Sequence, residues 1–267
     1  MITGIVSLQL MQFFMNVDSV SGTFGTMKKI AQIMDTDSEP DGGEPVPEVC
    51  ADIEFDSVSF AYAGGPDVIK NLSVKIPMGK MTAVIGGNGA GKSTLFKLLL
   101  RLYEPKSGEI RFGGDGLGKY CLTDWRDRFA VVSQRNPLIG GTVRENIAYG
   151  LDREVSDEEL AETARRANCY GGQGQCISIA RAMLRNADYL LLDEATSNLD
   201  VVSEAEVTGA MDELMRDKTT IMIAHNYAAT RNADYIIGMK DGAVEAAGTP
   251  DELLKTNEYY RMFVKTL

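Results

Sequence analysis

One histidine and four cysteines in 267 residues leave little material for a metal centre or a disulfide framework. Cys50, Cys121, Cys169 and Cys176 form no CxxC, and His225 has no second histidine to work with. A zinc site is therefore not expected. Cysteines so scattered read as free thiols in a reducing compartment. Positive charge is also short: 27 Lys and Arg stand against 38 Asp and Glu, a formal charge of −11. Such a chain has no general attraction for nucleic-acid phosphates, so no nucleic-acid partner is expected. Long apolar runs are missing too. Residues 1–17, MITGIVSLQLMQFFMNV, are interrupted by Gln9, Gln12 and Asn16. They fall short of the roughly 20 apolar residues of a membrane span, and they lack the basic start and cleavage site of a signal peptide. They read as an amphipathic helix that needs a partner.

What is present is regular. Hydrophobic residues make up 44% of the chain, enough to fill a core. Residues 1–35 are rich in Met and Phe at helical spacing. Residues 36–50 carry Pro40, Pro45, Pro47, Gly42 and Gly43 and read as a linker. From residue 51 the pattern tightens. IEFDSVSFAY alternates apolar and polar residues and predicts a strand; VIKNLSVKIP predicts another, antiparallel to it. MTAVIG is a short apolar strand, and GKSTLFKLLLRLY has helical periodicity. Ser156-x-x-Glu159 and Thr249-Pro250-Asp251-Glu252 predict capping boxes. YLLLDE and TTIMIAH are buried strands, and 233–247 reads as an antiparallel pair. Strands alternating with helices predict an α/β fold with a mostly parallel sheet.

Gly86-Gly87-Asn88-Gly89-Ala90-Gly91-Lys92-Ser93 matches GxxxxGK[ST], with a strand before it and a helix after. Such glycines let backbone N–H groups turn inward around phosphates, and the helix offers its N-terminus to the same anion. Lys92 is then expected on the β- and γ-phosphates and the Ser93 hydroxyl on Mg²⁺. The second glycine-rich run, Gly113 to Gly118, has no helix after it and reads as a hairpin turn. Tyr189 to Glu194 is an apolar strand that ends in two acids. By themselves Asp193 and Glu194 could simply cap the next turn. Beside a phosphate loop, Asp193 is expected to hold Mg²⁺ and Glu194 to orient or deprotonate the attacking water. A lone histidine at a strand end, such as His225, is more often a bonded core residue than a catalyst.

Taken in order, these segments resemble the ATP-binding cassette ATPases, most closely the exporter branch. Val58-Ser59-Phe60-Ala61-Tyr62 is similar to the strand whose aromatic residue, here Tyr62, stacks on adenine. Gln134 in VVSQ is similar to the glutamine that senses Mg²⁺ and water and faces the membrane domain. Gly171-Gly172-Gln173, followed by ISIARAMLRNADYLLLDEATSNLD, resembles the signature, acidic strand and following loop, with Asp200 as the loop's acid. The resemblance makes His225 the residue that touches the γ-phosphate. It also adds Thr94 to the nucleotide-binding set with Gly86 to Ser93.

Several expectations follow from the resemblance. The fold is a P-loop NTPase core with an antiparallel β-subdomain and a truncated helical subdomain over residues 51–267. Residues 1–35 are the end of a transmembrane-domain helix and its cytosolic extension. The activity is Mg-dependent ATP hydrolysis powering export, with ATP and Mg²⁺ as cofactors. Glu194, His225 and Gln134 are catalytic, and Ser93, Gln134 and Asp193 ligate the metal. The partners are a transmembrane domain and a second nucleotide-binding domain, in a homo- or heterodimer, at the cytoplasmic face of the cell membrane. The alternative is a degenerate, non-hydrolysing ATP-binding regulator. Two departures bear on this. The family's LSGGQ is here Cys169-Tyr170-Gly171-Gly172-Gln173, with tyrosine for the serine that would bond the γ-phosphate across a dimer. Gln134 also stands closer to Gly171 than the family norm. Either the chain has lost much of its helical subdomain or the sequence omits a segment there, and the intact flanks favour the second.

Overall fold

The computed structural model describes residues 27–31, 34–35, 39, 42–133, 137–169, 174–193, 201–224 and 230–265, without the side chains of 201–206. The chain divides into two units, Met1–Asp41 and Gly42–Leu267. In the first, residues 27–31 are helical. No described helix is long and apolar enough to cross a membrane.

In the second unit the order is β1 (Ile53–Ala61), β2 (Asp67–Ile76), β3 (Met81–Gly86), α1 (Lys92–Leu99), β4 (Ser107–Phe112), β5 (Asp115–Gly116), α2 (Leu122–Asp127), β6 (Phe129–Val132), α3 (Val143–Ile147), α4 (Asp157–Arg166), α5 (Gly174–Arg185), β7 (Tyr189–Asp193), α6 (Val201–Met215), β8 (Thr219–Ala224), β9 (Tyr235–Lys240), β10 (Ala243–Gly248), α7 (Pro250–Thr256) and α8 (Glu258–Lys265). The strands form two sheets. One is antiparallel, β2-β1-β4-β5; the other runs β10-β9-β3-β8-β7-β6 and is parallel except for the β9–β10 pair. This is the α/β architecture that the sequence pattern predicts, with its antiparallel opening strands and its antiparallel pair near 233–247.

Strand β1 shows how pattern becomes packing. Ile53 and Phe55 are buried at odd positions, Val58 and Phe60 at even ones. A bulge lies between them, with Ser57 at φ 54°. The extra residue restores the inward face after the parity changes. Behind it, β2, α1, β4 and α2 supply Ile69, Leu95, Phe112 and Trp125 to one continuous core. A second core lies under α4, α5 and α6, against β6 and β7. Burying the larger of these side chains stabilises the fold by about 1.5–3 kcal/mol each.

From residue 42 the expected linker belongs to the second unit and is hydrogen-bonded within it. Glu44 N donates to Lys119 O and Cys121 N to Glu44 O, both at 2.8 Å. Arg128 donates to Pro47 O at 2.9 Å. At its end, the Tyr189 hydroxyl accepts from Ala51 N at 2.9 Å and donates to Ala51 O at 2.6 Å. Burial pushes that phenol up to about 12.

The helix caps divide. Thr249 forms a full capping box with Glu252 behind Pro250, as predicted. Ser156 caps Glu159 N, but the Glu159 carboxylate takes Arg153 in a two-pronged pair at 2.6 and 2.9 Å and does not reach back. The box predicted there is half a box. Thr142 and Glu145 form a complete one that the sequence reading passed over.

Candidate nucleotide-binding site

The phosphate-type loop sits between β3 and α1, in the middle of the six-stranded sheet. β3 is flanked by β8 and β9. At its end Gly86 has φ 153°, and a Cβ there would collide with the Met239 carbonyl oxygen of β9. Gly91, at φ 102°, has Ile69 Cδ1 2.7 Å from where a Cβ would stand. Gly89 is also left-handed, at φ 77°, but has open space around it. Gly86 is thus required by the backbone it meets, and Gly89 and Gly91 by their left-handed φ. Gly87, Asn88, Gly89 and Ser93 are exposed, while Ala90, Lys92 and Thr94 are buried. The mouth of the loop is wet and its floor is dry.

Lys92 is 6% exposed, and its ammonium donates to the carbonyls of Gly86 at 2.8 Å and Gly87 at 3.0 Å. The lysine therefore curls over its own loop, at the start of an eight-residue helix whose N-cap is Gly91. A buried cation and a helix N-terminus meet at one open mouth, which suits an anion.

Tyr62 follows directly after β1. Its hydroxyl lies 3.1 Å from Thr94 Oγ1, which ties it to the helix that starts at the loop. Phe60 and Tyr103 both stand edge-to-face with it and tilted to each other, and Lys97 donates to its hydroxyl. Asp193 ends β7, half-buried.

Register brings the other strand ends to the same edge. Val132, Leu192, Met222 and Ala83 lie in one row across β6, β7, β8 and β3. All four strands are parallel, so β6, β7 and β8 finish on the side where β3 delivers the loop. Gln134, Glu194 and His225 come just after them in sequence. Those three, with Gly171, Gly172, Gln173 and Asp200, lie outside the described residues.

The ABC transporter family profile matches residues 69–197. The chain is 37% identical over 257 residues to the ATP-dependent lipid A-core flippase of Escherichia coli strain K12, covering 87% of this chain and 44% of the flippase. It is 39% identical over 246 residues to an uncharacterized ABC transporter ATP-binding protein of Sinorhizobium fredii, covering 84% of this chain and 42% of that protein. Among solved structures, a bacterial Atm1-family ABC exporter with ATP bound matches at TM-score 0.76 and 29% identity, over 90% of this chain and 46% of that one.

The chain carries an exporter-type ATP-binding cassette domain. It spans less than half the length of these relatives. The flippase match runs over 257 residues yet covers 87% of a chain of 267, so the flippase holds residues inside the matched stretch that have no counterpart here. That agrees with the short spacing between Gln134 and Gly171. Cys169 and Cys176 flank the cassette's Gly171–Gln173 run. Neither is in a disulfide, and a hydrogen bond in which the Cys169 thiol keeps its proton against Cys176, then burial, raises Cys169 well above the ordinary thiol range.

Three features of the candidate site have no signal in the sequence motifs: the Met239 carbonyl, Lys97 and Tyr103. Met239 and Tyr103 come from outside the motifs. Lys97 lies on the motif's own helix, but its bond to Tyr62 crosses from one segment to another. Only the aromatic character of Tyr103, just past α1, could have drawn notice.

Proposed function

We propose that this chain binds ATP with Mg²⁺ and hydrolyses it, and that it does so as the nucleotide-binding domain of an ABC exporter, driving transport at the cytoplasmic face of the cell membrane. The observation that carries the reading is the buried Lys92 ammonium, folded onto the Gly86 and Gly87 carbonyls beneath an open loop mouth. Tyr62 stacks on the base. The amides of Gly86, Gly87, Asn88, Gly89, Ala90 and Gly91 surround the phosphates, with Lys92 on the terminal ones and Thr94 at the inner end. The exposed Ser93 hydroxyl and the Asp193 carboxylate are the hard oxygen donors that Mg²⁺ prefers, and with Gln134 they would hold it. The metal, when bound, neutralises charge developing on the phosphates. Glu194 takes the proton of the attacking water, and His225 steadies the γ-phosphate. Gly171, Gly172, Gln173 and Asp200 complete the site of a second cassette, with Tyr170 where a serine is usual. Residues 1–35 lead from a transmembrane domain through the stretch 36–50 into the domain at 51–267.

Glu194→Gln tests the assignment, because it keeps shape and removes the base. Turnover falls by about 10²–10⁴-fold while calorimetric ATP affinity holds. Hydrolysis at the parental rate would remove Glu194 from its role.

A further inference from the structure

Tyr62 is not a bare platform. Its hydroxyl meets Thr94 Oγ1 at 3.1 Å and accepts from Lys97 Nζ at 3.3 Å. Thr94 and Lys97 are three residues apart on α1, on one side of the helix. The helix that begins at the phosphate loop thus holds the phenol at two points. The Lys97 ammonium lies 5.2 Å from the Tyr62 ring centre and 6.0 Å from that of Tyr103. It is nearer the hydroxyl than the ring centre, so it grips the ring by its edge. Phe60 stands 5.0 Å away at 84° and Tyr103 5.2 Å away at 89°, both edge-to-face with Tyr62. Such pairs attract beyond the area they bury. Phe60 belongs to the core and Tyr62 packs against it, whereas Tyr103 is 43% exposed and reaches Tyr62 from outside the core cluster.

We infer that Lys97 and Tyr103 are positioning residues for the base: they hold the Tyr62 ring, before any ligand arrives, in the orientation that receives a purine. The inference rests on the reading that Tyr62 stacks on the base. A tyrosine free to turn gives up rotamer freedom when it binds; one already held does not, and affinity rises by that difference. Lys97 and Tyr103 make these contacts with Tyr62 itself, so their loss is expected at the base end of the ligand, which separates its two halves experimentally.

The probes are ADP and inorganic pyrophosphate, each with Mg²⁺, titrated calorimetrically into the intact chain. Lys97→Met and Tyr103→Leu each weaken ADP by about three- to tenfold and leave pyrophosphate at the parental affinity. Tyr103→Phe, which keeps the ring, restores ADP binding. In a Tyr62→Ala background neither change adds a further loss. If Tyr62→Ala itself leaves ADP affinity untouched, the base reading fails and the inference goes with it. If Tyr62→Ala weakens ADP but Lys97→Met and Tyr103→Leu do not, the inference alone fails. Equal losses for ADP and pyrophosphate would also overturn it, since the two residues would then merely support the loop.

Discussion

Two runs in this chain read GxxxxGK: Gly86 to Lys92 and Gly113 to Lys119. Their glycine content is alike and their structures are opposed. The first leaves a central parallel strand and opens an α-helix. The second is a two-residue hairpin tip, with Gly113 at φ 60° and Gly114 at φ 94° joining β4 to β5. A 3₁₀ turn, Leu117–Lys119, follows it. Lys92 is buried and bonds carbonyl oxygens of its own loop. Lys119 is exposed and pairs with Asp115 at 2.7 Å and Glu44 at 3.8 Å. Glycines make a turn possible in both places. Only the first has a helix N-terminus beside its lysine, and the second lysine stands between carboxylates.

Four substitutions press on that contrast. Gly86→Ala should have the largest effect, because its Cβ meets the Met239 carbonyl at a φ that alanine resists. Together, backbone strain and overpacking cost about 2–5 kcal/mol, read as a lowered denaturation midpoint. Lys92→Ala comes next: ATP affinity falls at least about tenfold by calorimetry, since a charge-assisted phosphate contact contributes about 1.5–3 kcal/mol. An unchanged affinity would put the two runs on the same footing. Gly114→Ala keeps open space around its Cβ and suffers only the positive φ, about 1–2 kcal/mol, with nucleotide binding unaffected. Lys119→Met should do least, leaving ATP affinity alone and shifting thermal stability slightly. Its hydrogen bond holds the Asp115 carboxyl below the ordinary range, and Asp115 in turn raises Lys119. The pair therefore acts between those limits. Its contribution fades as pH falls through the depressed Asp115 range, and again as pH rises through the raised Lys119 range. Thermal melts across pH follow both limbs, and added salt flattens them.

Much of this was legible because it is local. Alternation wrote β1 and β2, the apolar runs wrote β3, β7 and β8, and the contiguous loop motif wrote the turn and helix around Lys92. The half-formed box at Ser156 was not legible: Arg153, before the cap, offers Glu159 a bidentate charged pair stronger than one backbone N–H. Thr142-Val143-Arg144-Glu145 carries the same box pattern in its sequence and forms the complete box. The stretch 36–50 reads as loose because composition records proline and glycine. It does not record that Glu44 N and O both find partners around Lys119 and Cys121. Lys97, Tyr103 and Met239 gain their places through long-range packing around Tyr62 and Gly86, and no spacing rule along the chain connects those segments.

The position of β3 also sets an order of assembly. Its strand and loop emerge well before both of its sheet neighbours, β8 and β9, which come after Lys218. Until they arrive, Met81 to Ile85 is an unpaired apolar segment and Gly86 lacks the carbonyl it packs against. Such delayed pairing is slow and leaves sticky edges exposed. A nascent chain halted anywhere between Ser93 and Met239 carries the whole phosphate motif in its sequence without the wall that shapes it. Nucleotide binding is therefore among the last properties this domain acquires as it is made.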